Sequence, residues 1–181
     1  IIFSCAIRYR LENKNYHKDY SEINGYFFNL KTQIKKKLFT LKPEDYYLDR
    51  QYISFMAPFI FKNKNSYYCL IQATKLHNKK REIIILETKN FMKWSESKFN
   101  LFKRNNNLYT PHYIKKDNRK YIFYSKDLKK ILCSVYGKKL DRPLYEHLII
   151  DNKLIGNTIY APNIIKIKNH FLMFYSLWEN N

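Results

Sequence analysis

Short apolar runs separated by polar breaks are the main pattern along this chain. The stretch from Ala57 to Ile71 reads APFIFKNKNSYYCLI: a proline heads one apolar run, lysine and asparagine interrupt it, and two tyrosines open a second run. Helical periodicity is weak throughout, and Gly, Pro, Asn and Asp mark the joints between runs. The pattern predicts a β-hairpin at this stretch and an all-β fold for the chain.

The same hairpin pattern occurs three times. TPHYIKKDNRKYIFYS begins at Thr110 and APNIIKIKNHFLMFYS at Ala161, so the prolines at 58, 111 and 162 are 53 and 51 residues apart. In each copy a small residue precedes the proline and an aromatic residue opens the second run: Tyr68, Tyr121 or Phe171. Because these aromatic residues recur at the repeat period, we expect them to pack between neighbouring sheets.

Each repeat contains more than this hairpin. A β-rich run follows the first two copies, EIIILETKNFMKW at 82–94 and KKILCSVYGKKL at 129–140. Residues 1–10 and 20–30 match the middle and outer strands of an earlier unit. Units of about 50 residues with three or four short strands are typical of β-propeller blades. An antiparallel sandwich with accidental spacing is the alternative.

The prediction is a single domain over residues 1–181, with blade boundaries near 50, 105 and 157. The predicted domain comprises half a blade, two full blades and another half blade. Since a propeller closes by joining its first and last blades, this partial ring is expected to have an open edge.

The composition is consistent with a folded and strongly basic protein. With 45% hydrophobic and 18% aromatic residues the chain can bury a core, and its formal net charge is +19. This charge favours a polyanionic partner. However, Lys, Asn, Ile, Tyr and Phe make up more than half of the chain, and all five have AT-rich codons. The lysines are also scattered, so codon bias is the favoured explanation, and no specific nucleic-acid partner is predicted.

Several other classes of protein are disfavoured. Cys5, Cys69 and Cys133 lie in apolar runs without metal-ligand spacing, which predicts buried free thiols. No apolar run is long enough to span a membrane. Neither a phosphate-binding loop nor a metal motif is present, so no cofactor or metal is implied. The chain begins without methionine and stops soon after an apolar run, from which we expect that both ends are cut. The localisation is therefore open, with the cytoplasm slightly favoured.

The ordered motifs resemble the five-bladed propellers of glycoside hydrolase families 43 and 32 and their phosphorylase-like relatives. The resemblance rests on Ala57-Pro58, Tyr67-Tyr68, the isoleucine-rich strand 83–86, and Thr88 through Phe91 to Trp94. The N-terminal RYRLENKNYHKDYSEINGYF is similar to a strand pair of bacterial members. The resemblance covers nearly the whole chain but only about three of five blades.

The resemblance implies an active site in a funnel on the propeller axis, with two carboxylates for hydrolysis. In active relatives an Asp or Glu commonly flanks the proline that heads an inner strand. In this chain the residues after the three prolines are Phe59, His112 and Asn163, and those before are Ala57, Thr110 and Ala161. Either the catalytic carboxylates lie in further blades, or this is a binding or degenerate propeller.

Asp49 is the best candidate for a catalytic carboxylate, because it lies just before the first inner strand. The alternative is a loop aspartate that pairs with Arg50 or caps a turn. The other candidates are predicted to contact the substrate. They are Arg50, His112, Asn163, Arg8, Asp19, Tyr109 and Tyr160.

Most of these candidates also have a structural alternative. His112 could donate a hydrogen bond to a sugar hydroxyl or be a satisfied structural histidine. Arg8 and Asp19 could pair with each other across strands. Tyr109 and Tyr160 could stack on a sugar ring or simply pack, and Tyr113 is expected in the core.

Three functions follow from these observations. The leading hypothesis is a carbohydrate-active propeller that hydrolyses or transfers a glycosyl group of a bacterial polysaccharide or surface glycan, with an acidic glycan as one option. The alternatives are a non-catalytic glycan-binding propeller and an interaction propeller that uses its basic surface. The oligomeric state is left open.

Overall fold

The computed structural model describes residues 2–8, 21–46, 52–99, 107–140, 142–154, 158–168 and 170–178, with residues 2–8 described by their backbone alone. These ranges contain thirteen β-strands and two 3-10 helices, and no α-helix. The all-β prediction is confirmed.

The first three strands form an antiparallel meander. They are β1 (Ile2–Arg8), β2 (Ser21–Phe28) and β3 (Lys35–Leu41), in the order β1-β2-β3, and a 3-10 helix at Pro43–Asp45 follows. A single parallel bridge between Ser21 and Ser54 joins β2 to the next group of strands. The two serine hydroxyls are 2.6 Å apart and buried, so this junction is held by side chains as well as backbone.

The second group contains β4 (Tyr52–Asn63), β5 (Ser66–Lys75), β6 (Arg81–Thr88) and the short β7 (Ser95–Glu96), paired antiparallel in chain order. The third group repeats this arrangement with β8 (Leu108–Lys116), β9 (Arg119–Lys126), β10 (Lys130–Tyr136) and β11 (Tyr145–Asp151). A 3-10 helix at Asn152–Leu154 leads to the last pair, β12 (Thr158–Ile167) and β13 (His170–Trp178).

The core lies between neighbouring sheets, not on one face of one sheet. Leu70, Ile83 and Ile85 pack against the β8–β11 sheet, whereas Ile71 and Ile84 pack toward the β1–β3 meander. Successive residues of a strand point to opposite faces, so both faces of β5 and β6 are covered. This explains the unbroken isoleucine run of β6, because every side chain of a strand buried on both faces lies in the apolar core.

The segment from Thr88 to Trp94 links the second sheet to the first. The Thr88 hydroxyl accepts a hydrogen bond from the Phe91 N–H at 3.1 Å, which fixes the turn after β6. This turn places Trp94 edge-on to the Phe39 ring of β3, with centroids 5.0 Å apart. The Phe39 ring in turn lies directly over Gly25, where any side chain would clash. The spacing of this motif is therefore a packing requirement between two sheets.

The inner strands of the three repeats lie side by side, with β8 packed against both β4 and β12. Tyr68 and Tyr113 are buried between the second and third sheets, and the Tyr113 ring stacks on Phe61 at 3.8 Å, which confirms both predicted packing roles. This radial stacking of four-stranded sheets is that of part of a β-propeller.

Two of the three cysteines are buried free thiols, Cys69 and Cys133. Burial raises the pKa of both thiols, that of Cys133 to about 12, so both are protonated at neutral pH. The prediction of buried thiols is confirmed for these two residues. The side chain of Cys5 lies outside the described residues. Within the described ranges, no helix is long and apolar enough to cross a membrane.

Candidate functional site

The three inner strands share one irregularity at the same place. Pairing with the second strand skips the small-Pro dipeptide in each case, between Met56 and Phe59, between Tyr109 and His112, and between Tyr160 and Asn163. Proline has no N–H to donate to the ladder, which favours a bulge at this position. A β-bulge also bends the strand and redirects the side chain that follows it. The repeat therefore encodes three equivalent bulges.

The residue before each proline has a positive φ angle: 46° at Ala57, 44° at Thr110 and 56° at Ala161. This left-handed conformation is unusual for any residue other than glycine and is a true outlier for a β-branched residue such as threonine. It costs of the order of 1–3 kcal/mol, which the surrounding structure must offset.

Hydrogen bonds of Thr110 supply that support and connect three sheets. The Thr110 N–H donates to Oε1 of Gln72, in β5, at 3.1 Å. Its hydroxyl oxygen accepts from the N–H of Ala161, in β12, at 2.9 Å. The central bulge is thus fixed to the preceding and the following repeat, and the three bulges are held in one arrangement.

The residues that follow the prolines are Phe59, His112 and Asn163, and the first two are in direct contact. The ring centroids of Phe59 and His112 are 4.3 Å apart with a tilt of 50°. The imidazole also hydrogen-bonds to the backbone of Ile164, in the next inner strand. His112 therefore spans from one neighbouring inner strand to the other.

The surroundings of His112 keep its imidazole neutral at neutral pH. Burial lowers the pKa of His112 below its ordinary value, and the hydrogen bond to the Ile164 backbone opposes this only in part. A neutral imidazole has one donor and one acceptor nitrogen. The ring is only half-buried, so part of it is accessible to a ligand.

Asn163 is the most accessible of the three residues. Its side chain is exposed, and its backbone pairs with Phe174 of β13. A carboxamide both donates and accepts hydrogen bonds. Together the half-buried imidazole and the exposed amide offer neutral hydrogen-bonding groups beside the apolar edge of Phe59.

Both predicted tyrosines are half-buried and lie at equivalent positions before the bulges. The Arg81 guanidinium lies 4.9 Å from the ring centroid of Tyr109, a cation–π distance. The Tyr160 ring meets Trp178 edge-on, with centroids 5.6 Å apart. Each tyrosine thus has an aromatic or cationic neighbour, and their predicted contact with a sugar ring stays a prediction.

The remaining predicted site residues fall where the structure gives no side chain. Asp49, Arg50 and Asp19 lie outside the described residues. Arg8 is described by its backbone only, in β1 opposite Ser21. Their predicted roles stay predictions.

Two described carboxylates, one in β11 and one in β6, have structural partners. Glu146 accepts a short hydrogen bond from the Tyr124 hydroxyl. Glu82 accepts one from the Tyr52 hydroxyl and pairs with the Lys75 ammonium at 3.0 Å. Among the residues with described side chains, no cluster of His, Cys, Asp and Glu could hold a metal ion.

The solved structures to which this chain is similar include glycoside hydrolases of families 43 and 32. The chain aligns with a thermostable family-43 glycoside hydrolase at a TM-score of 0.68 and 18% identity, over 87% of this chain and 56% of that one. It also aligns with the family-32 β-fructofuranosidase of Bombyx mori in complex with sucrose, at a TM-score of 0.62 and 11% identity, over 99% of this chain and 41% of that one. The chain shares the propeller fold of these enzymes.

A third similar structure is the GH43B protein of the Bacteroides ovatus xyloglucan PUL, with a TM-score of 0.56 and 11% identity over 83% of this chain and 32% of that one. The chain thus spans about half the length of these proteins or less. No protein-family model matches it, and no curated protein matches it by sequence. The predicted resemblance to glycoside hydrolase propellers is confirmed at the level of the fold.

Sequence reasoning did not identify the contacts that organise the site. The Phe59–His112 contact and the Thr110 hydrogen bonds join residues that are about 40 to 55 positions apart in sequence. One sequence feature points to these contacts. The shared proline position places Phe59, Thr110 and His112 at or beside equivalent bulges of neighbouring inner strands.

Proposed function

We propose that this protein is a carbohydrate-active propeller of the glycoside hydrolase type, which binds a glycan across the inner strands β4, β8 and β12. The observation that carries the proposal is the aligned set of bulges, which brings Phe59, His112 and Asn163 to equivalent positions on three adjacent inner strands. The fold shared with family-43 and family-32 enzymes supports the same function.

The chemistry of these three side chains suits a sugar. Sugar hydroxyls both donate and accept hydrogen bonds, as the neutral imidazole of His112 and the amide of Asn163 do. The Phe59 ring offers apolar surface for the C–H groups of a sugar ring. These groups bind and orient a glycan, but none of them is a carboxylate.

Hydrolysis would require carboxylates, and we assign one of them to Asp49. In glycoside hydrolysis one carboxyl group protonates the leaving oxygen while a second activates water or attacks the sugar. Asp49 precedes β4 in sequence, which favours a position at the head of the first inner strand. The second carboxylate is not assigned.

The test is release of reducing sugar from a panel of polysaccharides and oligosaccharides. Replacing Asp49 by Asn removes the acid–base function while preserving shape, and we expect turnover to fall by roughly 100-fold or more. Asp117→Asn, in the exposed turn between β8 and β9, is the matched control and should retain the wild-type rate. Equal rates for wild type and Asp49→Asn would overturn the assignment of Asp49.

A second candidate function is glycan binding without catalysis. It is favoured by the absence of an acidic residue on either side of Pro58, Pro111 and Pro162. It predicts saturable binding of a glycan by calorimetry with no release of reducing sugar from the same glycan. Turnover of any glycan on the panel would exclude this alternative.

A further inference from the structure

A cavity of about 640 Å³ lies on the outer half of the third sheet. It is bounded by the turn between β9 and β10, by strands β10 and β11, and by the 3-10 helix at Asn152–Leu154. Leu132 and Leu148, which are cross-strand neighbours, contribute apolar side chains to its wall. Four lysines also line the cavity: Lys126, Lys129, Lys130 and Lys153.

Two of the carboxylates in this cavity are already engaged. Asp151 accepts a hydrogen bond from the Lys153 backbone N–H at 3.1 Å and pairs with the Lys130 ammonium at 3.7 Å. Glu146 accepts hydrogen bonds from the Tyr124 and Ser134 hydroxyls. Both carboxylates are therefore fixed by groups of the protein.

The other three lysines have no such partner. Among the described residues, no carboxylate pairs with the ammonium groups of Lys126, Lys129 and Lys153. The four lysines and three carboxylates of the lining, Asp127, Glu146 and Asp151, give the cavity a net charge of +1 beside a partly apolar wall. A group with a single negative charge would be attracted to this small positive excess.

The cavity lies at the same end of the third sheet as the candidate site. Lys126 pairs with Leu108 and Ser125 with Tyr109, so the cavity begins one strand outward from the residues that precede the central bulge. Neighbouring strands are about 4.8 Å apart, which puts β10 roughly 10 Å from the inner strand. An extended ligand that leaves the inner strands can therefore reach the cavity.

We propose that this cavity is a second binding site, for a carboxylate-bearing sugar residue of an acidic glycan. The sugar carboxylate contacts the ammonium groups of Lys126, Lys129 and Lys153, and the C–H face of the ring packs on the exposed Leu148 side chain, beneath which lies Leu132. The choice of a glycan as the ligand of this cavity rests on the proposed function. A densely charged polyanion fits less well, because Asp127, Glu146 and Asp151 also line the cavity and would repel it.

The test compares acidic and neutral oligosaccharides by calorimetry. The probes are galacturonic acid oligomers and neutral xylose oligomers, and the variant carries Lys126→Gln, Lys129→Gln and Lys153→Gln together. An exposed ion pair contributes a factor of roughly 1.5 to 5 in affinity, so we expect the loss of three pairs to weaken binding of the acidic oligomer by roughly 3- to 100-fold. Affinity for the neutral oligomer should be unchanged.

The matched control replaces Lys31, Lys36 and Lys37 by Gln. All three are exposed around β3, and the substitutions remove the same net charge. An equal loss of affinity in this control would show that only net charge matters and would overturn the proposal. The proposal would also be overturned if the wild-type protein bound inorganic polyphosphate more tightly than the galacturonate oligomer at equal ionic strength.

A second readout separates this proposal from the proposed function. Galacturonate should shift the methyl NMR signals of Leu132 and Leu148 in the wild-type protein and not in the triple lysine variant. Unchanged leucine signals would overturn the cavity assignment even if neutral glycans bind at the inner strands. Conversely, shifted leucine signals without binding of any neutral glycan would leave the cavity in place and refute the inner-strand site.

Discussion

At the scale of single residues, the site depends on one histidine held between two inner strands. His112 contacts the Phe59 ring on one side and the Ile164 backbone on the other. Its burial disfavours the charged imidazolium, so the folded protein prefers the neutral form. The neutral imidazole that suits a sugar hydroxyl is a consequence of packing.

The free energy of unfolding should therefore decrease as the pH is lowered, because of His112. Because its folded-state pKa lies below the unfolded value of about 6.5, the unfolded chain takes up a proton first as the pH falls. The contribution of His112 to the free energy of unfolding is complete above the unfolded pKa and is lost as the pH falls through the folded pKa. Urea unfolding at about pH 7 and about pH 5 measures this loss.

The variant His112→Gln should weaken this pH dependence, whereas His170→Gln, at an exposed position of β13, should keep it. An identical pH dependence in wild type and His112→Gln would show that His112 is not the group responsible.

Thr110 combines an unfavourable backbone angle with two hydrogen bonds to other sheets. Replacing it by Val keeps the branched shape but leaves the Ala161 N–H without its acceptor. Leaving a fully buried donor without an acceptor costs about 1–3 kcal/mol, and this hydrogen bond is part-buried, so Thr110→Val should lower the free energy of unfolding by about 1 kcal/mol. Thr110→Ser keeps the hydroxyl and should remain within about 0.5 kcal/mol of wild type. Equal stability of both variants would contradict the role given to the hydroxyl.

Among the strands, those buried on both faces distinguish this fold from a sheet with one solvent-exposed face. Ile84 and Ile85 are consecutive in β6, yet they belong to the two different core clusters, at 4% and 2% exposure. In a one-sided sheet one of two neighbouring residues would face water.

Ile84→Ala and Ile85→Ala should therefore be similarly destabilising. Each is expected to lower the free energy of unfolding by about 2–5 kcal/mol, as for other buried large-to-small substitutions. Met92→Ala, at an exposed turn position, should change it by less than about 0.5 kcal/mol. Chemical denaturation of the three variants gives the comparison. A large loss from only one of the two isoleucine variants would argue against cover on both faces.

The repeated hairpins could be predicted from the sequence because their information is local. A proline, a polar break and an aromatic residue recur within each copy, and strand pairing inside a hairpin follows from that pattern. The left-handed residue at Thr110 could not be predicted, since nothing in a threonine favours positive φ and its support comes from Gln72 and Ala161 in other repeats. The lysine-lined cavity was also missed, because its lysines are dispersed in sequence and come together only in the folded sheet.

At the scale of the whole molecule, radially stacked sheets bring equivalent positions of successive repeats together. Residues about 50 apart in sequence, such as Phe59, His112 and Asn163, come to neighbouring inner strands, so one repeated bulge creates a composite surface from three different side chains. The residue after the proline differs among the three repeats, whereas the bulge is the same in all of them. The blade boundaries near 50, 105 and 157 remain predictions.

Calorimetric titration shows whether this composite surface binds a glycan. The ligand is the oligosaccharide best retained from a panel, titrated into wild type, His112→Ala and the exposed control His170→Ala. We predict saturable binding by wild type and the control. The affinity of His112→Ala should be weaker by roughly 2- to 10-fold, the value of one lost hydrogen bond. Failure of wild type to bind any glycan, or equal affinity in His112→Ala, would contradict glycan binding by this surface.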